Sequence, residues 1–207
     1  MQTARIMEGW RKTCQDRAEA FERGSAAVLV VADGAGGTGG GGEAAELVVD
    51  RVRRVVEAGQ RLVDPKHWCE VLREIDAALE ANPMVGESTA VVAVCTRVVV
   101  VGASVGDSGC WLLTEEASRD LTRHQKRRPL LGSGWAQPAA FWAPFVEGVV
   151  LAGSDGLLKY APMEKIRPVA MGGDLAAAAK GLVDLVRLPT GALQDDVGIA
   201  LCRQAAE

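Results

Sequence analysis

The sequence predicts an α+β layered fold, with helices packed outside antiparallel sheets. Two observations carry this. Short, apolar, β-branched runs follow one another across tight turns, which means antiparallel pairing and not βαβ crossovers. Helical periods fall in separate blocks, so the two kinds of element are segregated. In chain order, Ala26–Ala32 (AAVLVVA) is a continuous run of buried-strand length. Glu43–Ala58 is the first helix, because Ala44, Leu47, Val48, Val52, Val55 and Val56 recur near the helical period. Pro65–Leu79 is the second, with Asp64 as N-cap and Pro65 at the first helical position. Thr89–Cys95 and Val98–Ala103 flank Thr96-Arg97 as a tight hairpin. Gly109–Leu113 is expected to continue that hairpin after the turn at Gly106-Asp107-Ser108. Arg123–Trp142 is rich in Pro and Gly, carries Arg123, Lys126, Arg127 and Arg128, and reads as an exposed loop. Val149–Ala152 is a strand, Asp174–Leu188 a helix with Asp174 near its start, and Val197–Cys202 the last strand.

The 207 residues predict a single domain, and 48% hydrophobic content suffices for a sizeable core. A net charge of -4 leaves no basic footprint, which argues against nucleic acid as a partner. No stretch reaches the roughly 18 apolar residues of a membrane helix. The start, MQTARIMEGWRK, lacks the apolar core of a secretory signal. The cysteines (Cys14, Cys69, Cys95, Cys110 and Cys202) are odd in number and form no C-x-x-C pair, so neither a disulfide framework nor a zinc knuckle is indicated. A cytoplasmic protein away from membranes is the expectation.

Two familiar motifs lose force on inspection. Gly34-Ala-Gly-Gly-Thr-Gly39 matches the G-x-G-x-x-G of dinucleotide sites. Asp33 directly precedes it, where a carboxylate would repel a pyrophosphate, and the elements after the helices are hairpin strands. Gly102-Ala-Ser104-Val-Gly106 matches the nucleophile elbow G-x-S-x-G. That motif needs a helix after the serine, and here a strand follows.

What is left is a set of aspartates at the ends of apolar runs, beside small residues: Asp16, Asp33, Asp107, Asp155 and the pair Asp195-Asp196. Any one of them is explained as a turn or cap residue. Together, carboxylates on rigid strand ends suit hard cations such as Mg²⁺ or Mn²⁺. At these residues the chain resembles the bacterial metal-dependent protein serine/threonine phosphatases of type 2C, over nearly its whole length and in order. Arg11-Lys-Thr-Cys-Gln-Asp16 is similar to that family's Arg-x-x-Asn-Glu/Gln-Asp. Val31-Ala-Asp33-Gly-Ala-Gly-Gly37 is similar to its Val-x-Asp-Gly-x-Gly-Gly, and Glu87-Ser-Thr-Ala90 to its Gly-Ser/Thr-Thr-Ala. Gly106-Asp107-Ser108, Leu121-Thr122 with His124, Ser154-Asp155-Gly156 and Asp195-Asp196-Val197 follow in the family's order.

The resemblance implies an α-β-β-α sandwich: two antiparallel sheets flanked by helices on both faces. It implies two divalent ions, Mn²⁺ or Mg²⁺, with a third and weaker one. Asp33 would bridge the two, with the Gly34 carbonyl on one of them. Asp155 and Asp195 would hold the other, and Asp107 would help hold the third. Asp16 would lie close in and orient metal-bound water, Arg11 would grip the substrate phosphate, and Asp196 would support from behind. The implied reaction is hydrolysis of phosphoserine or phosphothreonine proteins by a metal-bridging hydroxide. The implied partners are the phosphorylated products of a serine/threonine kinase, met by a monomer.

The chain also departs from the family. Thr38 stands where many bacterial relatives have histidine, so proton delivery to the leaving group is open. Cys14 replaces an asparagine whose hydrogen bond supports Asp16. His67 falls in a predicted helix, and His124 serves only if its loop covers the site. The flap region near 122–141 is short, and its cluster Lys126–Arg128 is either a greeting surface for acidic phosphopeptides or a solvated loop. The rival reading is a catalytically weak or inactive family member that binds and regulates.

Overall fold

In the computed structural model, residues 1–36, 40–82 and 84–205 are described. Twelve strands occur among them: β1 (Gln2–Glu8), β2 (Arg17–Arg23), β3 (Ala26–Ala32), β4 (Gly34–Ala35), β5 (Glu87–Ser88), β6 (Ala90–Cys95), β7 (Val99–Val105), β8 (Gly109–Leu113), β9 (Ser118–Asp120), β10 (Ala139–Pro144), β11 (Val149–Gly153) and β12 (Val197–Arg203). The helices are α1 (Gly41–Ala58), α2 (Pro65–Glu80), α3 (Asp155–Leu158), α4 (Met163–Ala170) and α5 (Leu175–Leu185). Two five-stranded antiparallel sheets form, in the orders β1-β12-β11-β8-β9 and β10-β7-β6-β3-β2, with β4 and β5 as a separate small pair.

Three apolar layers hold these sheets. Alternate residues of β3 (Val28, Val30, Ala32) face the valine stripe of α1 and Trp68, Leu72 and Ile75 of α2. The other set (Ala27, Leu29, Val31) faces Val150, Ala152, Ala200 and Cys202 of the opposite sheet. Leu151, Ile199 and Leu201 then turn outward onto α4 and α5. The period-two alternation of each strand therefore serves both faces, and the expected α-β-β-α layering is present. As anticipated, the Asp64 side chain caps α2, accepting from the Lys66 amide at 2.9 Å, and Pro65 opens the helix. No helix among the described residues is long and apolar enough to cross a membrane.

Three expectations need correction, and two edge strands were not foreseen. Gly109–Leu113 does not extend the hairpin before it, because the chain crosses to the other sheet at Gly106-Asp107-Ser108. Gly106, at φ 96°, makes that crossing. Residues 139–144, assigned to a loop through Trp142, form edge strand β10 against β7. Edge strands β1 and β2 escape the apolar pattern, because Arg5, Glu8, Arg17, Glu19, Glu22 and Arg23 are charged and at least partly exposed; Arg5 and Glu19 join them across the side of the sandwich at 2.9 Å. Helix α5 stops at Leu185, short of the expected Leu188.

The remaining loop is not free. Asp76 of α2 is buried, and its carboxylate accepts backbone N–H bonds from Gly132 (2.7 Å), Gly134 (3.0 Å) and Ala136 (3.0 Å). Leu131 bridges to Ser88 with two backbone bonds of 3.0 Å. Asp76→Asn keeps the volume but turns one acceptor into a donor facing an amide. It is expected to cost roughly 1–3 kcal/mol. Urea unfolding checks the loss, and limited proteolysis should cut first between residues 130 and 137.

Candidate active site

Antiparallel register decides where the aspartates meet. Arg17, just after Asp16, pairs with Ala32, just before Asp33. Val105, just before Gly106-Asp107, pairs with Ala90 at the start of β6. Gly153, just before Ser154-Asp155, pairs with Ile199 near the start of β12, which Asp195-Asp196 precedes. Every one of these residues therefore lies at the same end of the sandwich.

Polar clamps fix each one. The Asp33 amide donates to Thr89 Oγ1 (2.9 Å), while its carbonyl accepts from the Thr89 amide (2.9 Å) and Ser88 Oγ (3.1 Å). Thr89 Oγ1 in turn is 2.6 Å from Ser108 Oγ, beside Asp107. Ser154 and Gly198 exchange two bonds of 2.9 Å, one through Ser154 Oγ, which sets Asp155 at the start of α3. Asp196 is buried, and its two oxygens accept the amides of Trp10 (2.9 Å) and Gln15. It thereby closes the loop that carries Arg11.

Two glycines permit close approach. A Cβ on Gly156 would overlap the Asp196 carbonyl, so Asp155-Gly156 and Asp195-Asp196 touch backbone to backbone. A Cβ on Gly34 would overlap the backbone of Gly41 at the start of α1. The glycines on either side of this run are thus packing residues beneath Asp33, and Gly34-Ala35 pairs with β5 in no nucleotide loop. Gly37, Thr38 and Gly39 lie outside the described residues. Ser104 lies within β7 with its buried hydroxyl unpartnered, which removes the nucleophile-elbow reading.

Electrostatics show that the carboxylates sense one another. Asp33 is pushed up to about 9, first by burial and then by the charges of Asp16 and Asp155, with Asp107 adding to them. Asp16, 1% exposed, is pushed up to about 7 by burial and by Asp196 and Asp155, against a lowering contribution from Ser154. Asp155 is raised by burial, Asp195 and Asp107, with Lys159 opposing. Both Asp16 oxygens are buried without a hydrogen-bond partner of ordinary geometry, although Ser154 and Asp33 are near enough to influence its proton. Unpartnered buried oxygens among mutually repelling carboxylates fit a hard cation. Among the described residues no three ligand groups stand ready around a single point.

Other candidates sit apart. Arg11 is exposed, with its guanidinium stacked 3.9 Å from the centre of the Trp10 ring. His67 is on α2, 3.5 Å from Glu70. His124 is exposed and accepts from Arg123 Nε at 2.9 Å. Cys14 Sγ donates a 3.6 Å bond to the Asp16 carbonyl. Burial and the neighbouring Asp196 and Asp16 push its thiol up to about 12, so it stays protonated and inert. Arg17, which the motif reading passed over, ties this loop down by donating to the carbonyls of Cys14 (2.9 Å) and Asp16 (2.8 Å) while pairing with Glu46 of α1. Its place directly after the family's aspartate is the only sequence signal for it.

Residues 5–128 match the family model described as protein phosphatase 2C. The chain belongs to that family. Solved structures of similar fold include a bacterial serine phosphatase (20% identity, covering 100% of this chain and 99% of the other, TM-score 0.86). They also include the serine/threonine phosphatase Stp1 of Staphylococcus aureus (19% identity, 99% and 95% covered, TM-score 0.84). A third is the catalytic domain of the serine/threonine protein phosphatase PstP in complex with two manganese ions (19% identity, 97% and 96% covered, TM-score 0.84). No curated protein matches at a significant level.

The raised carboxyls of this protein phosphatase 2C member set a pH dependence. Unfolded aspartate titrates near about 3.9. The native state holds protons on Asp16 and Asp33 up to about 7 and about 9, so it binds more protons than the unfolded chain in that window. Stability of the chelated protein is therefore greatest near pH 4 in this respect and falls as pH rises through about 9. Asp33→Asn should stabilise the chelated protein at pH 8, by on the order of 2 kcal/mol. The same variant should weaken stabilisation by Mn²⁺. Thermal melts from pH 5 to 9 in chelator and in Mn²⁺ measure both; an Asp33→Asn melt that loses stability with pH as steeply as wild type overturns the assignment.

Proposed function

We propose that this chain is a metal-dependent phosphomonoester hydrolase acting on phosphoserine and phosphothreonine proteins made by a serine/threonine kinase. The observation that carries the reading is the meeting of Asp16, Asp33, Asp107, Asp155 and Asp195 at one end of the sandwich, with the proton affinities of Asp16, Asp33 and Asp155 raised, in a protein phosphatase 2C chain. Two divalent ions, Mn²⁺ or Mg²⁺, would supply Lewis acidity that activates water and offsets charge on the phosphoryl oxygens. Asp33, Asp155 and Asp195, with the Gly34 carbonyl, would hold them, and Asp107 would take part in a third and weaker site.

The chain's own part is placement. Asp16, buried and with both oxygens unpartnered, accepts the hydrogen bond of the attacking water and aims its lone pair at phosphorus. Arg11 rides on a loop whose two flanks Asp196 holds, so its guanidinium is delivered from a fixed base. Its planar fork meets two phosphate oxygens, and it stabilises the charge that grows on them during displacement. The thiol of Cys14 takes no part.

Turnover of p-nitrophenyl phosphate and of a phosphothreonine peptide in Mn²⁺, lost in chelator, tests the reading. If metal-loaded protein leaves both substrates untouched, the chain is a binding member of its family. Asp155→Asn should lower kcat at least about a hundredfold while circular dichroism holds and the chelated melting temperature does not fall. Arg11→Lys should raise KM about tenfold, because one point charge replaces a two-toothed contact; an unchanged KM sinks the phosphate-binding role.

A further inference from the structure

A second recess opens beside the carboxylates. It has a volume of about 340 Å³, and Asp107 forms part of its wall. Trp111, Leu158 and Met163 give it an apolar floor, while Arg123 and Arg127 line it from the basic loop. We infer that this recess is a substrate subsite that takes an acidic side chain close to the phosphorylated residue. The inference rests on the phosphatase reading above and adds to it the class of sequence the enzyme prefers.

Two carboxylates, Asp107 and Asp120, and two guanidiniums, Arg123 and Arg127, line the recess, and the guanidiniums are the less engaged. Asp107 belongs to the carboxylate cluster, where it raises the proton affinity of Asp33 and Asp155. Asp120 turns Oδ1 to the amide (2.8 Å) and hydroxyl (2.9 Å) of Thr122. The arginines are less committed. Arg123 gives only its Nε, to His124, so its two terminal nitrogens are available. Arg127 has no hydrogen-bond or ion-pair partner among the described residues. The neighbouring cations, by contrast, are engaged: Lys126 with Gln137 at 2.7 Å and Arg128 with Glu87 at 3.7 Å.

The loop is also held in place for the task. Gln125 donates to the Ser108 carbonyl at 2.6 Å, pinning the middle of the basic segment next to Asp107. Asp76 and the Leu131–Ser88 bridge hold the following residues. Arginines on a pinned loop lose less freedom on binding than arginines on a loose one. An extended peptide advances about 3.3 Å per residue, so a recess that Asp107 borders is within reach of a side chain a few residues from a phosphoresidue held at the carboxylates.

The test uses two phosphothreonine peptides that differ only in Glu against Gln at positions two and three after the phosphoresidue, turned over by the full chain in Mn²⁺. The glutamate peptide should be favoured in kcat/KM by about three- to tenfold, carried by KM, the scale of a partly exposed ion pair. The preference should vanish in about 0.5 M salt. Arg123→Glu with Arg127→Glu should invert the order, and Arg127→Lys should keep most of it. Equal turnover of the two peptides by wild type, or a preference untouched by charge reversal, overturns the subsite alone. Failure to turn over either peptide overturns the phosphatase reading and the subsite with it.

Discussion

Carboxylates forced together without cations repel, and the geometry of this protein follows from containing that repulsion. Two unit charges about 5 Å apart, at an effective dielectric of about 20, oppose each other by roughly 3 kcal/mol. The chain meets this in two ways. It keeps protons on Asp16 and Asp33 well above the ordinary carboxylate range. It also removes the freedom to move apart. Each aspartate stands on a strand end, and backbone bonds from Thr89, Gly198, Trp10 and Gln15 fix the segments that carry them. On the proposed reading, a site held in this way would be pre-organised for divalent ions, because the work of assembling the charges is done during folding.

Adjacent carboxylates can differ in job because of what their oxygens touch. Asp196 spends both of its oxygens on backbone amides of the 9–15 loop, which leaves little to offer a cation. Asp195 uses one oxygen on the Asp196 amide at 3.1 Å and keeps the other. Asp16 spends neither. The order of availability, Asp16 and Asp195 over Asp196, is a property of local backbone direction. Residue type alone does not reveal it.

Much of the fold was legible for the same reason that it is stable. Buried strands such as Ala26–Ala32 and Val197–Arg203 are apolar on both faces because each face meets a different layer, and such runs stand out. The helices announced themselves through Asp64, Pro65 and the valine stripe of α1. Edge strands hid, since β1 and β2 mix charged with apolar residues at the rim, and β10 (AAFWAP) ends in proline after a run of loop-like residues. The crossing at Gly106 was invisible for a related reason: a strand that changes sheets looks like one that turns back. As for the site, the aspartates could be named from motif order, but their meeting depends on strand register. The clamps from Asp76, Arg17 and Asp196 depend on which way single carbonyls and amides point.

The basic loop is coupled to the carboxylates through two short polar routes, and this gives its sequence a second meaning. On one side Gln125 bonds the Ser108 carbonyl, Ser108 Oγ meets Thr89 Oγ1, and Thr89 receives the Asp33 amide. On the other, Leu131 pairs with Ser88, whose hydroxyl donates to the Asp33 carbonyl. Both routes end on the backbone of the most strongly perturbed aspartate. Asp76, reaching up from α2, holds the loop so that both can form. The basic loop and the Asp33 backbone are thus parts of one hydrogen-bonded unit.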